Sequence, residues 1–248
     1  MKKILFKTDV HLDATEKLNP SYRLVKEFAQ AWKPDVVVDG GDLFEFEYLS
    51  SFSKEKLKRL EGKRFQADYD LGNKELDFWQ KCCKTYVQIE GNHDERIVRL
   101  IDRDPKVQGL VELSKNLGFK ERKIDFYPQD GKVFEMGKLA FIHGFWASKY
   151  PAERHLMKYK HNLVFGHVHK FQSFSDMMPL METEMQAWSI GCLCSKSPDW
   201  MSGKPTGWQN GFACIYMDEK SGRFNLYPIN ISKYNEFNFE GRTWKLKR

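Results

Sequence analysis

Five short apolar runs in this chain are each followed at once by a motif of aspartate, asparagine or histidine residues. The motifs are DVH at 9–11, GGD at 40–42, GNHD at 91–94, HG at 143–144 and GHVH at 166–169. Apolar runs of this length, followed by glycine-rich turns, are typical of buried strands. Because the carboxyl ends of parallel strands meet at one edge of a sheet, the order predicts that all five motifs lie close together.

The spacing of the first runs predicts a parallel strand–helix–strand unit. Residues 4–8 form a buried strand, and residues 22–32 repeat apolar side chains at helical spacing before Pro34. A second buried strand follows at 36–38. This alternation favours an α/β fold with a parallel sheet.

The rest of the chain mixes helices, strands and one long loop. Further strands are predicted at 86–89, 133–136, 138–142, 163–165, 185–190, 211–217 and 223–231, and helices at 95–101 and 109–117. The basic segment 54–66 is typical of a solvated helix face, with phosphate contact as the alternative. Residues 195–211 form a long loop with Trp200 and Trp208. These indoles either stack on bases or cover the sheet.

Composition excludes several classes of protein. With 41% hydrophobic and 30% charged residues, the chain is expected to be globular. Five cysteines, an odd number with no secretory signal, argue against a disulfide scaffold. No apolar stretch is long enough to span a membrane, so we expect a cytoplasmic protein without a membrane partner. The net charge of +6 suits a polyanionic substrate and an ordinary soluble protein alike.

The side chains in the five motifs are those that transition metals prefer. Imidazole and carboxylate together favour Mn, Fe or Zn over Ca, which prefers oxygen alone. The flanking glycines allow a sharp turn after each strand. A single motif is weak, because an isolated histidine is more often structural, but five in order at strand ends indicate a metal site.

In this combination the motifs resemble those of the calcineurin-like metallophosphoesterase superfamily. The resemblance covers residues 9–169 and extends into WSIGC at 188–192 and GFACIYMDEKSGRFNLYPI at 211–229. It implies a four-layer α/β/β/α sandwich of two mixed β-sheets flanked by helices, with a dimetal site at the carboxyl ends of the strands. We expect this domain to span residues 1–232, followed by a basic tail at 233–248.

The resemblance also implies a role for each motif residue. One metal would be held by Asp9, His11, Asp42 and His169, and the second by Asp42, Asn92, His143 and His167. His93 would protonate the leaving oxygen, and Asp94 would orient His93 or serve as an N-cap or a support behind the ligands. Two divalent ions are implied, Mn²⁺ first, with Fe, Zn, Mg or Ni as alternatives.

The activity implied is hydrolysis of a phosphoester by a metal-bridging hydroxide. DVHLD, GGDLFEF and GNHD look more like SbcD-type nucleases and related phosphodiesterases, and the small architecture resembles phosphoesterases encoded by bacteriophages. We therefore predict a phosphodiesterase or nuclease acting on DNA, RNA or nucleotides. A phosphomonoesterase, a nucleotide-sugar pyrophosphohydrolase and a non-catalytic scaffold like the retromer-type sorting subunits stay open, as does the oligomeric state.

Overall fold

A computed structural model describes residues 1–178, 183–201 and 203–247 of the chain. The helices are α1 (Pro20–Trp32), α2 (Leu57–Leu60), α3 (Phe65–Cys82), α4 (Arg96–Arg103), α5 (Leu113–Asn116) and α6 (Pro151–Tyr159). The strands are β1 (Lys2–Lys7), β2 (Val36–Asp39), β3 (Thr85–Ile89), β4 (Asp125–Tyr127), β5 (Phe134–Met136), β6 (Leu139–Ile142), β7 (Leu163–Phe165), β8 (Gln172–Met178), β9 (Thr183–Ser189), β10 (Gly211–Met217), β11 (Phe224–Asn230), β12 (Glu236–Phe239) and β13 (Arg242–Lys245).

Most of these strands form two mixed sheets. The first has the order β11-β10-β1-β2-β3-β4, in which β1 to β4 run parallel, β10 is antiparallel to β1, and β11 is antiparallel to β10. The second has the order β5-β6-β7-β9-β8, with β6, β7 and β9 parallel. The parallel strands of both sheets therefore have carboxyl ends available for a shared site.

The two sheets pack face to face with helices outside. Successive residues of a strand point to opposite faces, so Ile4 of β1 packs between the sheets, against a cluster that includes Phe141 of the second sheet. Leu5 points the other way, into a cluster with α1 and α3. On the outer face of the second sheet, Leu156 of α6 packs with Leu163. The four-layer sandwich of two mixed sheets flanked by helices is thus confirmed.

The predicted elements near the site have close counterparts in the structure. Helix α1 begins two residues before the predicted start, because the side chain of Asn19 accepts a hydrogen bond from the amide of Ser21 and caps it. The basic segment 54–66 comprises α2 and the start of α3. In the loop 195–211, one 3₁₀ turn (Asp199–Met201) is present, whereas Ser202 and the side chain of Trp200 lie outside the described residues.

The end of the chain forms a hairpin that packs on α1. Strands β12 and β13 pair, and Phe237 and Trp244 both contact the ring of Phe28. Within the segment predicted as a tail, residues 236–245 therefore contribute to the hydrophobic cluster that contains Leu5 and α1. The boundary at 232 stays a prediction. None of the helices in the described ranges is long and apolar enough to cross a membrane.

Candidate metal centre

The two sheets bring the predicted ligands together at one edge. Asp9, Asp42 and Asn92 follow β1, β2 and β3 of the first sheet, and His143 and His167 follow β6 and β7 of the second. His11 and His169 lie two residues beyond Asp9 and His167. These seven residues are called the candidate metal centre below.

Backbone conformation marks the same positions. Asp9, His11, Asp42, His167 and His169 all have positive φ angles, between 50° and 66°. Side-chain-bearing residues rarely adopt this region, and such strain is concentrated at functional sites. The strained turns are joined by backbone hydrogen bonds, from the amide of Asp9 to the carbonyl of Gly41 (2.9 Å) and from the amide of His11 to that of Asp42 (3.0 Å).

Two glycines let the turns approach each other. A Cβ on Gly91 would lie 2.1 Å from the amide nitrogen and Oδ1 of Asp42. A Cβ on Gly166 would lie 2.1 Å from Oγ1 of Thr8 and 2.3 Å from Oδ2 of Asp9. Any side chain at either position would displace a carboxylate of the centre, so the glycines in GNHD and GHVH are required by this close approach.

One half of the centre is formed around Asp42, Asn92 and His143. The His143 Nε2 lies 3.4 Å from Oδ2 of Asp42 and 3.1 Å from Oδ1 of Asn92, which is also 2.8 Å from Nδ1 of His167. His143 Nδ1 is 2.8 Å from the carbonyl of Gly40. A carbonyl can only accept, so Nδ1 donates and Nε2 is directed at the cluster, as in histidines that bind metals.

The other half provides the clearest test of whether a cation fits. Nε2 of His169 lies 3.0 Å from Oδ1 of Asp9. Nε2 of His11 is buried and has no hydrogen-bond partner among the described residues, yet it lies 4.0 Å from Asp9 Oδ1 and 3.7 Å from Asp42 Oδ2. A buried, unsatisfied imidazole nitrogen beside two carboxylates fits a divalent cation between them.

The electrostatics of the cluster favour positive charge. Burial by itself would raise the pKa of Asp9, but His169 and His143 lower that pKa to about 2, and the pKa of Asp42 is lowered by His143 and His93 against the same effect of burial. Conversely, burial would lower the pKa of His143 and His169, whereas the carboxylates raise these pKa values to about 10 and about 9. Both carboxylates are therefore ionised near neutral pH, the form that binds metals.

His93 lies at the rim of the cluster. Its amide donates to Oδ1 of Asp42 (2.7 Å), and its Nε2 lies 4.0 Å from Asp42 Oδ2. Its Nδ1 is 3.1 Å from the carbonyl of Glu45 and 3.4 Å from Oε1 of that residue, so Nδ1 donates. Nη2 of Arg96 lies 3.1 Å from Nε2. His93 thus presents Nε2 toward the space beside the cluster.

The carboxylate that contacts His93 belongs to Glu45, which was not among the site residues predicted from the sequence. Oε2 of Glu45 also lies 2.7 Å from Nδ1 of His11. The carboxylate of Asp94 accepts hydrogen bonds from the amides of Leu43, Phe44 and Gly91. Asp94 therefore ties the GGD and GNHD loops together, while Glu45 holds two histidines. In the sequence, only the position of Glu45, three residues after Asp42 within GGDLFEF, could have indicated that it lies at the site.

The predicted basic segment and tryptophan loop both reach this region. Arg59 and Lys63 form ion pairs with Glu47. The ring of Trp208 lies 4.1 Å from the ring of His169, at 71°. Together with Cys194, whose Sγ is 4.0 Å from His169 Nδ1, this indole covers one side of the candidate metal centre.

Comparison with known proteins identifies the class. The family model of calcineurin-like phosphoesterases matches residues 2–171, and the chain belongs to this family. The predicted resemblance is therefore confirmed, and membership supports metal-dependent phosphoester hydrolysis in general.

Individual relatives are more distant. The chain is similar to the Gene 54 protein of Mycobacterium phage L5, with 23% identity over 232 residues that cover 86% of this chain and 88% of that protein. Among solved structures, a single mutant of Vps29 from Entamoeba histolytica is 12% identical with a TM-score of 0.49 over 94% of each chain. Vacuolar Protein Sorting 29 of Cryptosporidium parvum is 16% identical with a TM-score of 0.49, over 98% of this chain and 94% of that one.

Proposed function

We propose that this protein is a dimetal phosphodiesterase that acts on nucleic acid or nucleotides. The observation that carries the proposal is the position of His93. Its ring lies beside the carboxylates of the candidate metal centre and lines a cavity of about 620 Å³. A phosphoester bound in this cavity would have its phosphorus next to the centre and its leaving oxygen next to His93.

In this proposal the seven residues of the candidate metal centre are the ligands. Asp9, His11, Asp42 and His169 would hold one ion, and Asp42, Asn92, His143 and His167 would hold the other. The chemistry that two bound divalent ions supply is polarisation of the phosphoryl oxygens and hydroxide at near-neutral pH. Mn²⁺ is the first choice, with Fe, Zn, Mg or Ni as alternatives for the same imidazole and carboxylate set.

The remaining steps belong to His93 and its neighbours. Because Nδ1 donates to the carbonyl of Glu45, the ring is held with Nε2 toward the cavity, where it accepts a hydrogen bond from Arg96. When a substrate phosphate takes up that guanidinium, Nε2 is free to carry the proton that passes to the leaving alkoxide. Glu45, rather than Asp94, is proposed as the residue that orients His93 and His11. Arg96 donates to the Glu45 carbonyl (2.6 Å) and places its guanidinium beside Nε2, where it can contact a substrate phosphate.

A diester is preferred because the cavity continues beyond His93. Lys56, from the basic segment, and Lys204 line it together with Phe52. A monoester and a diester both place a leaving group beside His93, but only a diester carries a second group on the phosphorus, and the continued cavity has room for it. Cationic and aromatic side chains are the contacts that nucleotides use for phosphate and base.

The first test compares hydrolysis of bis(p-nitrophenyl) phosphate with that of p-nitrophenyl phosphate, after chelation and readdition of Mn²⁺. Metal binding is followed separately by elemental analysis of the dialysed protein. Metal-restored turnover of the diester supports the proposal. Preferential turnover of the monoester would replace it with a phosphomonoesterase, and two bound metals without turnover of any phosphoester would favour the non-catalytic scaffold.

A further inference from the structure

Helix α4 presents a row of arginines that begins at the candidate metal centre. Arg96, Arg99 and Arg103 are spaced three and four residues apart, so they lie on one face of the helix, while Ile97 is buried on another. Seven residues of α-helix span about 10 Å, so the row extends well beyond a single phosphate. Arg99 and Arg103 are exposed.

These arginines form one wall of a groove. A cavity of about 190 Å³ is lined by Asn92, all three arginines, Leu100 and the segment Leu49–Phe52. It shares Ser50, Phe52, Asn92 and Arg96 with the cavity of about 620 Å³ that contains His93. The two cavities together, from His93 to Arg103, are called the arginine groove. An extended ligand that fills this groove therefore has one end at the candidate metal centre, because Asn92 lines both cavities.

The opposite wall carries an aromatic ring that protein contacts leave uncovered. The side chain of Phe52 lies in the 3₁₀ turn Ser51–Ser53 and is 86% exposed, although phenylalanine is usually buried. It is positioned across the groove from Arg96 and lines both cavities. An exposed ring opposite a row of cations is the combination that proteins use to bind single strands, with the base stacked and the phosphates paired.

The acidic side chains at the groove are already matched by cations or imidazoles. Glu45 contacts His11, His93 and Arg96, and Glu47 pairs with Arg59 and Lys63. Glu95 pairs with Arg99, an exposed pair that a phosphate can replace at little cost. Three cations that line the groove form none of the described ion pairs: Arg103, Lys56 and Lys204. The groove therefore has an excess of positive charge and suits a polyanion.

We propose that the arginine groove binds a single-stranded polynucleotide, with successive phosphates against Arg99 and Arg103 and one base on the ring of Phe52. This inference rests on the proposed function, since it extends the same substrate away from His93. It predicts that the enzyme cleaves a polynucleotide at the phosphate that lies beside His93, while the nucleotides on one side of that phosphate lie along α4. An isolated nucleotide would leave this part of the groove empty.

Binding is measured on the full chain in EDTA, by fluorescence anisotropy with a short labelled single strand of DNA, and in parallel with RNA of the same sequence. The double variant Arg99→Gln/Arg103→Gln should raise Kd about tenfold. Each lost phosphate contact reduces the slope of log K against log salt by about 0.7, so the double variant should be shallower by about 1.4. Arg242→Gln, on the C-terminal hairpin, is the matched control and should leave both quantities as in the wild type.

Phe52→Ala distinguishes stacking from charge. Loss of one stacked base should raise Kd about tenfold, yet the salt slope should stay that of the wild type, because no cation is removed. Binding of either polynucleotide with this pair of responses supports the proposal. Unchanged binding in the double variant, or in Phe52→Ala, would overturn it. Equally tight binding of duplex DNA with the same dependence on Phe52 would overturn the single-strand assignment.

Turnover separates failure of this inference from failure of the proposed function. If bis(p-nitrophenyl) phosphate is hydrolysed but the groove variants bind polynucleotide as the wild type does, only the groove assignment is wrong. If the groove variants respond as predicted but no phosphoester is turned over with Mn²⁺, only the enzymatic function is wrong. With both correct, kcat/KM for the oligonucleotide should fall about tenfold more than that for the small diester in Arg99→Gln/Arg103→Gln.

Discussion

Two clusters of buried charge are neighbours in this protein, since Lys7 and Asp39 precede Asp9 and Asp42 by two and three residues in the sequence. They differ in whether their polar atoms are satisfied within the cluster. The first is the pair Lys7–Asp39, in which both side chains are fully buried. Asp39 also accepts hydrogen bonds from the hydroxyl of Tyr86 (2.9 Å) and the amide of Gly41 (3.2 Å). The ammonium group of Lys7 lies 5.2 Å from the ring of Trp79. This cluster satisfies its own charges.

The second cluster, the candidate metal centre, does not. Nε2 of His11 is buried without a hydrogen-bond partner among the described residues, and the carboxylates of Asp9 and Asp42 both approach it. Several imidazoles share these two carboxylates. A cluster that closes on itself stabilises the fold, whereas one that leaves atoms unsatisfied and backbone strained is suited to binding a ligand. Damage to the first should therefore affect folding, and damage to the second should affect metal and turnover.

The largest expected effect tests the second cluster. His93→Asn should lower kcat for bis(p-nitrophenyl) phosphate by about 10²–10⁴-fold, because it removes the proton donor, while both metals are retained. Asp42→Asn should lose turnover and also metal, since it removes the shared carboxylate. Elemental analysis beside steady-state kinetics separates the two variants. Equal loss of metal in both would contradict the roles assigned to them.

The next effect tests the first cluster. Lys7→Met should lower the free energy of unfolding by about 3–5 kcal/mol, because Asp39 is left as an uncompensated buried charge. The double variant Lys7→Met/Asp39→Leu should recover most of that loss, since no charge then remains buried. Urea denaturation of metal-free protein measures both. If the single variant is as stable as the wild type, the pair does not act as a closed structural cluster.

Metal binding should then stabilise the folded chain through the second cluster alone. At a Mn²⁺ concentration of a hundred times Kd, the free energy of unfolding should rise by about 2.7 kcal/mol, because the ion binds the folded state only. Thermal unfolding with Mn²⁺ and with EDTA provides the measurement. Asp42→Asn is the control that should show little shift, and a similar shift in that variant would place the metal elsewhere.

The smallest effect concerns the residue that supports the histidines. Glu45→Gln should reduce kcat by about 10–100-fold, since the amide no longer holds His11 and His93 with a negative charge. Glu47→Gln is the matched control: its carboxylate is two residues away but pairs with Arg59 and Lys63. Steady-state kinetics of the two variants decide the matter. A loss in Glu47→Gln as large as in Glu45→Gln would assign the effect to general electrostatics.

Local pattern in the sequence was sufficient to predict the parallel strands and the edge at which the motifs meet, whereas the four-layer architecture was implied by the resemblance to the superfamily. Apolar runs ending in DVH, GGD, GNHD, HG and GHVH predicted strands whose carboxyl ends meet, and the structure brings those motifs together. The prediction succeeded because strand periodicity and the direction of parallel strands are properties of short segments and simple topology. The roles of the individual ligands stay predictions.

Only the tertiary structure decided which side chains assist those motifs. Asp94 is next to His93 in sequence, but its carboxylate turns toward the amides of Leu43 and Phe44, and Glu45 reaches His93 from another loop. The pairing of Lys7 with Asp39 likewise depends on β1 lying beside β2, where the two residues are in register. The same holds for the groove between Phe52 and the arginines of α4. Such contacts depend on the packing of distant segments, which no local pattern encodes.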